Sequence, residues 1–480
     1  MRITSARAAV AVAAAGAAGG LLLGGGQVAA IAGTPGGGGP GAPGAGDAYF
    51  PQYGNGGYDV SHYSLDLKYQ PKTDALSGTT TIKVKATQNL SRFNLDFALK
   101  VASVTVNGRP ARHTTSGAHE LVITPAKALR KGQGAVVVVK YSGVPSTVKV
   151  NGLSGWQRTP DGAVAANEPE SAWWWFPSND HPTDKATYDV SVAVPAGNQV
   201  ISNGRPTKTR KSGNWVRYGW RENSPQATYL ATLAVGKFDL EKSRTKTGLP
   251  VLNYYSKSLP ADVRKNAKAS LDKTASVIEW QSKVFGPYPF SSAGGYVPNV
   301  EAGYALETQT RPFYSPRFFL NRPNVDVVVH ELAHQWFGDS VSVKSWRDIW
   351  LNEGFASYAE WLYSEQHGGD SAQKIAEATY AQYPADNKFW QVKPGDPGSA
   401  NVFHGAVYDR GALAVHALRK EVGDAAFFKI VKGWTAAKRG THATIEEFVA
   451  HAERVSGKQL DEVVKTWLFT AGRPAKAPGR

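Results

Sequence analysis

The spacing of apolar residues changes once along the chain. In residues 79–85 and 187–194 apolar and polar side chains alternate, and residues 136–141 form a short apolar run. Alternation with a period of two is typical of a half-buried strand, and pairs such as Asn107-Gly108 favour tight turns. Because strand signals follow one another with few helical periods, we predict an all-β N-terminal domain over residues 48–245.

Beyond residue 245 the apolar residues recur at helical spacing. Such stretches cover residues 262–285, 350–366 and 412–422, and two more share residues 445–468. The first of them stops at Gly286-Pro287, a pair that ends helices, and a short strand is predicted near residues 295–300. We predict a second, mostly helical domain over residues 246–474, so the fold class is multi-domain α and β.

The first 32 residues have the composition of an export signal. Arg2 and Arg7 precede an uncharged stretch of Ala, Gly and Leu, and small residues at 30–32 suit a cleavage site. We predict a signal peptide over residues 1–32 and a secreted, extracellular protein. Retention as an anchor stays open, although the stretch is only weakly hydrophobic. Since the chain has no cysteine, it can carry no lipidated cysteine, and we expect no stable membrane association after cleavage.

Two segments are expected to lie outside the domains. Residues 33–47 are nearly all Gly, Pro and Ala, which bury too little apolar surface to fold, so they are predicted to be a flexible linker. The polar tail at residues 475–480 is predicted to be disordered. Without cysteine there are no disulfides, so stability must come from the cores, a metal and other ions.

The net charge of +15 favours acidic surfaces outside the cell. Its basic residues are scattered along the chain, and no nucleic-acid-binding motif accompanies them. We therefore expect no nucleic-acid partner.

The motif His330-Glu331-Leu332-Ala333-His334 indicates a metal site. Residues at i and i+4 share one face of a helix, so both imidazoles can bind one cation. After an eighteen-residue spacer, Glu353 supplies a third ligand from a second predicted helix. Two His and one Glu are a zinc set with an open position for water, and Glu331 beside it can take a proton from that water. This arrangement predicts hydrolysis.

Two neighbouring features admit structural as well as functional readings. Glu360 lies two turns beyond Glu353 on the same face, where it could orient a ligating imidazole or could simply be solvated. The run Trp173-Trp174-Trp175 could stack on a ligand, but neighbouring strand residues face opposite sides. Packing between the two domains is the favoured reading of the three tryptophans.

Four segments together resemble the gluzincins, and within them the aminopeptidase N family. They are HELAHQWFGD at 330–339, WLNEGFASYAE at 350–360, VYDRG at 407–411 and YALET at 304–308. The resemblance runs from about residue 58 to residue 474. It implies a saddle-like β domain, then a thermolysin-like, mostly helical catalytic domain with one Zn²⁺ per chain. The family's large C-terminal helical domain is expected to be missing, which would leave an open cleft.

Carried over to this sequence, the resemblance assigns roles to individual residues. It implies that His330, His334 and Glu353 bind zinc and that Glu331 is the general base. Tyr408 would donate a hydrogen bond from its hydroxyl to the developing oxyanion. Alternatively, Tyr408 could be a tyrosine that only packs in the core.

The same resemblance implies a site for a free α-amine. Glu307, next to Ala305 in the substrate-binding segment, and Glu168 from the β domain would hold the ammonium group and fix the scissile bond. Structurally, Glu168 could be a plain loop residue and Glu307 a charge at a strand edge. Tyr304 and Thr308 replace the family's Gly and Asn, and Thr308 lacks an amide for the substrate backbone.

Three functions stay open at this point. The leading hypothesis is a secreted zinc aminopeptidase acting on peptides with a free N-terminus. The second is a thermolysin-like zinc endopeptidase, which shares the zinc set but needs no amine site. The third is a zinc-stabilised binding module without catalysis, which would predict degraded chemistry at Glu331 or Tyr408.

Overall fold

The computed structural model describes residues 38–150 and 152–479. The predicted signal peptide and the first five residues of the predicted linker lie outside the described residues. The strands are β1 Gly39–Pro40, β2 Tyr58–Gln70, β3 Ala75–Ala86, β4 Leu90–Asp96, β5 Lys100–Val106, β6 Arg109–Pro110, β7 Arg112–Ser116, β8 Glu120–Thr124, β9 Gly134–Gly143, β10 Trp156–Thr159, β11 Gly162–Ala165, β12 Ala186–Pro195, β13 Gln199–Ser202, β14 Arg205–Pro206, β15 Arg210–Ser212, β16 Trp215–Gln226, β17 Leu233–Gly236, β18 Phe238–Arg244, β19 Pro250–Ser256, β20 Ala293–Val297, β21 Ala305–Leu306, β22 Phe313–Tyr314, β23 Ser342–Val343 and β24 His442–Ala443. The α-helices are α1 Ala261–Leu271, α2 Thr274–Phe285, α3 Val325–Ala333, α4 Trp350–Gln366, α5 Ala372–Gln382, α6 Gly405–Val422, α7 Asp424–Ala437, α8 Ile445–Ser456 and α9 Asp461–Val464.

The N-terminal domain is built on one large sheet. Its strands run in the order β14-β16-β12-β2-β3-β9-β5-β6, with β15 also paired to β16. Along β2 the side chains of Tyr63, Leu65, Leu67 and Tyr69 are buried while their neighbours are more exposed, which is the period-two pattern read from the sequence. Two four-stranded sheets, β1-β4-β8-β7 and β10-β11-β17-β13, complete the domain. The prediction of a β-rich first domain is confirmed.

The second domain is mostly helical and contains one five-stranded sheet. The sheet has the order β18-β19-β20-β22-β21, and α4 packs against both α3 and α6. Strand β18 precedes the predicted boundary at residue 245 and pairs with β19 beyond it, so this sheet crosses that boundary. The apolar stretch at residues 262–285 forms two helices, α1 and α2, separated by Asp272 and Lys273.

The linker prediction is wrong for the described residues 38–47. Strand β1 pairs in parallel with β4, and Asp47 is buried, where it accepts a hydrogen bond from the Trp346 amide at 2.8 Å. A Cβ atom on Gly44 would lie 2.0 Å from the Pro51 carbonyl oxygen. Glycine here permits close backbone packing, whereas composition alone suggested flexibility.

The tail prediction also differs from the structure. Over residues 475–479 the chain lies against the helical domain, and the Gln373 Nε2 atom donates to the Pro478 carbonyl oxygen at 2.9 Å. The Pro478 ring is buried. Local polarity did not reveal this contact because its partner lies on α5, about a hundred residues earlier in the chain.

The three tryptophans do not form a strand. Residues Ala172–Trp174 form a 3₁₀ helix, and all three indoles are fully buried in the first domain's core. Trp173 stacks on His119 with ring centroids 3.9 Å apart. The tryptophans therefore pack in the interior, but Trp173 does not show the predicted packing between the domains, because its partners Tyr53 and His119 belong to the N-terminal domain.

Within residues 38–150 and 152–479, the structure contains no helix with the length and apolar character needed to cross a membrane.

Candidate metal centre and active site

Helix α3 presents the two predicted histidines. The Asn324 side chain caps its start by accepting a hydrogen bond from the Val327 amide, and residues 327–329 are buried in the core. His330 lies in its last turn and His334 at its C-cap, with ring centroids 4.9 Å apart. Glu353 is in the first turn of the adjacent helix α4. Helix geometry thus brings the two histidines together, and the packing of α4 against α3 adds Glu353.

The three side chains face one point. Oε2 of Glu353 lies 3.3 Å from Nε2 of His330 and 3.5 Å from Nε2 of His334. Two atoms that bind one tetrahedral zinc ion are about 3.4 Å apart. The Glu353 oxygen is buried and has no hydrogen-bond partner. The donor types and the spacing therefore fit zinc.

The other nitrogens of both rings are already engaged. Nδ1 of His330 donates to Oε1 of Glu360 at 2.9 Å, and Nδ1 of His334 donates to the Phe337 carbonyl oxygen at 3.0 Å. Such partners fix the tautomer and leave each Nε2 lone pair available for a metal. The orienting role that the sequence allowed for Glu360 is confirmed in its geometry. Although burial raises the pKa of Glu353, the imidazoles of His334 and His330 outweigh it and lower the pKa to about 2.

Glu331 and Glu307 border this centre. A carboxylate oxygen of each and a ring nitrogen of His334 all lie within 4.8 Å of one another. Both carboxylates are buried, and burial raises the pKa of Glu331 to about 8 while both histidines act in the opposite direction. The Tyr229 hydroxyl donates to Oε1 of Glu307 at 3.4 Å. Glu331 is thus placed beside the metal centre without being part of the His-His-Glu set.

Glu168 approaches from the N-terminal domain. Burial and then the charge of Glu307 raise its pKa well above the usual range, with smaller contributions from Glu353 and Glu331. Its Oε1 atom is buried without a hydrogen-bond partner. Carboxylates from two domains therefore share one region, which is electrostatically suited to a cation.

Tyr408 lies on α6 above the metal centre. Its ring stacks on His330 with centroids 6.1 Å apart and an interplanar angle of 20°. Burial, followed by the charges of Glu353 and Glu168, raises the pKa of Tyr408 well above 10. The hydroxyl therefore stays protonated and able to donate a hydrogen bond.

Both domains match known families. The Peptidase M1 N-terminal domain matches residues 59–230, and the Peptidase family M1 domain matches residues 269–467. The structure is similar to the crystal structure of an M1 zinc metallopeptidase from Deinococcus radiodurans, with a TM-score of 0.81 and 30% sequence identity. That similarity covers 91% of this chain and 99% of the other.

The chain belongs to peptidase family M1. Zinc is the cofactor, and the family's enzymes are peptide hydrolases. The glutamyl aminopeptidase of Mus musculus is 26% identical over 458 residues, covering 86% of this chain and 47% of the relative. A probable aminopeptidase 2 of Sulfurisphaera tokodaii is 28% identical over 365 residues, covering 71% of this chain and 45% of the relative. The chain thus spans about half the length of these relatives.

Two departures from the motif of this M1 family have structural roles. The Tyr304 hydroxyl donates to the Ala166 carbonyl oxygen at 2.9 Å and accepts a hydrogen bond from Gln157, so it joins the two domains. Thr308 is fully buried and donates to the Arg311 carbonyl oxygen. The Thr308 hydroxyl therefore stabilises this loop and is not free to bond the substrate. Ala305 lies in β21, at the edge of the five-stranded sheet.

Sequence reasoning missed two residues that position Glu307. They are Tyr229, which contacts its carboxylate, and Gln335, whose Nε2 atom donates to the Glu307 backbone oxygen at 3.0 Å. Gln335 directly follows the metal motif, and a polar residue among buried positions could have drawn attention to it. No local signal marks Tyr229, because only the tertiary fold brings it to the site.

Replacement of Glu360 tests the metal centre. In Glu360→Ala the His330 ring loses its anchor, so we expect zinc affinity to fall about 10- to 100-fold while the fold is retained. Competition with a chelator of known affinity measures this change. Glu365→Gln, on the same helix, is the matched control, and equal affinities of Glu360→Ala and the wild type would contradict the assignment.

Proposed function

We propose that this protein is a zinc aminopeptidase that removes residues from the free N-terminus of peptides. The observation that carries the proposal is the convergence of Glu168 and Glu307, from different domains, beside the set formed by His330, His334 and Glu353. An ammonium group bound by two carboxylates would place the first peptide bond of the substrate next to the metal. An endopeptidase needs no such pair.

His330, His334 and Glu353 would hold the zinc ion, and Glu360 would fix the His330 ring. When bound, zinc supplies Lewis acidity, which makes a water molecule a usable nucleophile near neutral pH. Glu353 is ionised, as a ligand must be, and zinc binding would displace any proton held on the Nε2 atoms of the two histidines.

Glu331 would act as the general base. Its carboxylate would take a proton from the attacking water and deliver it to the nitrogen of the departing amine, so one group serves both transfers. Its position supports this role, because a carboxylate oxygen of Glu331 lies within 4.8 Å of a ring nitrogen of His334.

Tyr408 would stabilise the charge that develops on the carbonyl oxygen. Its hydroxyl stays protonated, and its ring is held over His330. A hydrogen bond that forms mainly in the transition state lowers the barrier more than it tightens substrate binding.

The substrate would lie along β21. Edge strands can pair with an extended peptide, and Ala305 in this strand would offer backbone groups to it. A mutant of the Deinococcus radiodurans M1 zinc metallopeptidase is bound to a Tyr-Ser-Ala substrate, which supports short peptides as substrates here. The composition of residues 1–32 supports secretion of the protein, and the family motifs support a saddle-like form of the first domain and a thermolysin-like form of the second.

One peptide in two forms tests the activity. We expect the zinc-loaded protein to shorten the free peptide stepwise from its N-terminus and to leave the N-acetylated form intact, because acetylation removes the ammonium group. Mass spectrometry identifies each product. Internal cleavage of both forms would establish an endopeptidase, and absence of cleavage with zinc bound would favour a binding module.

Glu331→Gln tests the general base. The variant keeps the side-chain shape and the zinc ligands but cannot accept the proton, so we expect kcat to fall at least about 10²-fold with unchanged zinc content. Turnover close to that of the wild type would refute the role of Glu331. Loss of zinc together with turnover would show that Glu331 acts in metal binding.

Tyr408→Phe tests oxyanion stabilisation. Removal of one donor should lower kcat by about 10²- to 10³-fold and leave KM nearly unchanged. Steady-state kinetics on a free-amine peptide separate the two parameters. A raised KM at constant kcat would make Tyr408 a substrate-binding residue instead.

A further inference from the structure

A second cluster of metal-ligand side chains lies in the N-terminal domain. Strands β4 and β8 pair in antiparallel fashion, and Asp96 is directly opposite Glu120. His119 comes immediately before Glu120. One ligand atom from each of these three residues lies within 4.8 Å of the other two, as in the zinc set. None of the three residues belongs to the active site described above.

The cluster is unusual because one polar atom of each residue is buried without a hydrogen-bond partner. Asp96 is fully buried and His119 is 6% exposed. Oδ1 of Asp96, Nδ1 of His119 and Oε1 of Glu120 each lack a hydrogen-bond partner. Most buried polar atoms in folded proteins are hydrogen-bonded, so the two carboxylate oxygens without partners indicate a ligand that would satisfy them.

The charges of the cluster point to a cation. Like charges directly opposite each other on neighbouring strands are destabilising. In the part of the chain that the structure describes, neither Asp96 nor Glu120 forms an ion pair with a lysine or arginine. Burial raises the pKa of Glu120 to about 7, and burial followed by the charge of Glu120 raises the pKa of Asp96. A bound cation would offset the repulsion and allow both carboxylates to ionise.

The distances suit ligands around one ion. Nε2 of His119 lies 3.7 Å from Oδ1 of Asp96, too far for a hydrogen bond but close to the separation of two atoms that bind one metal. The same nitrogen is 3.1 Å from the Gln52 carbonyl oxygen, a separation that would let this oxygen complete the ligand set.

We propose that Asp96, His119 and Glu120 bind a divalent transition-metal ion of the Zn²⁺ or Mn²⁺ type. One imidazole nitrogen with two carboxylates suits such ions, whereas Ca²⁺ and Mg²⁺ prefer oxygen ligands alone. Protons held by the ligands would be released when the ion binds.

The ion would also hold in place residues 50–55, a segment before β2 that contacts both domains. Gln52 contacts His119, and the Asn55 side chain donates to Oδ2 of Asp96 at 3.2 Å. In the same segment Phe50 packs against Trp346 of the helical domain with ring centroids 6.2 Å apart. A metal at this position would stabilise the protein, which has no disulfide, without touching the substrate.

Metal counting tests the proposal on the full chain. Each protein is saturated with Zn²⁺, freed of loosely held metal with a weak chelator and analysed by mass spectrometry of the elements. We expect two zinc ions per chain in the wild type, one in Glu120→Gln and one in the double variant His330→Ala, His334→Ala. Asp66→Asn, which changes an exposed carboxylate of the same domain, should retain two.

The stability of the variant provides an independent result. With an ion bound, Glu120→Gln removes a ligand, so its Tm in Zn²⁺ should be several degrees below that of the wild type. Without an ion, the amide oxygen can still accept a hydrogen bond from Asn94 and the repulsion with Asp96 is removed, so the Tm should be unchanged or higher. One zinc ion in the wild type, or two in Glu120→Gln, would overturn the proposal. If Glu120→Gln fails to fold, the zinc contents of the wild type and of the double histidine variant still test the proposal. A double histidine variant that holds no zinc would overturn it.

Discussion

A buried group of carboxyl groups at the junction of the domains is the constraint on which the active site depends. Glu168, Glu307, Glu331 and Glu353 converge there, and burial raises the pKa of the first three. Burying a charged carboxylate is costly unless a cation or hydrogen bonds compensate for it. The zinc ion and the α-ammonium group of a peptide are the two cations that would satisfy this site. The same electrostatics would therefore govern metal retention and substrate choice.

The two domains must keep a fixed relation for this arrangement to work. Arg311 is fully buried and donates to the Gly204 carbonyl oxygen at 3.0 Å. The Asn203 side chain donates to the Gln309 carbonyl oxygen, and the Gly204 amide donates to the Thr310 hydroxyl, each at 2.7 Å. A turn of the β domain thus holds the loop that follows Glu307. The N-terminal domain supplies Glu168 and also positions the carboxylate with which Glu168 acts.

Features were predictable from the sequence when the interacting residues are close along the chain or belong to a recognisable motif. His330, His334 and Glu353 were predictable because the helix repeat sets the spacing of the two histidines and a recognisable second helix carries the glutamate. Residues 38–47 were misread because glycine serves both flexible linkers and close backbone packing. Tyr229 and the cluster around Asp96 left no local signal, since strand pairing and tertiary contacts bring them together. The family motifs identified Glu307 and Tyr408 where periodicity alone could not.

Recognition of the substrate's ammonium group by Glu307 can be tested with a double-change cycle. The cycle combines one substitution in the protein with one change in the substrate. Kcat/KM is measured for the wild type and Glu307→Gln, on a peptide and on its analogue in which hydrogen replaces the α-amine. We expect Glu307→Gln to lower kcat/KM about 30-fold for the amine, equivalent to about 2 kcal/mol, and to change it little for the analogue. Equal losses on both substrates would show that Glu307 acts on the structure of the site, contradicting recognition of the amine.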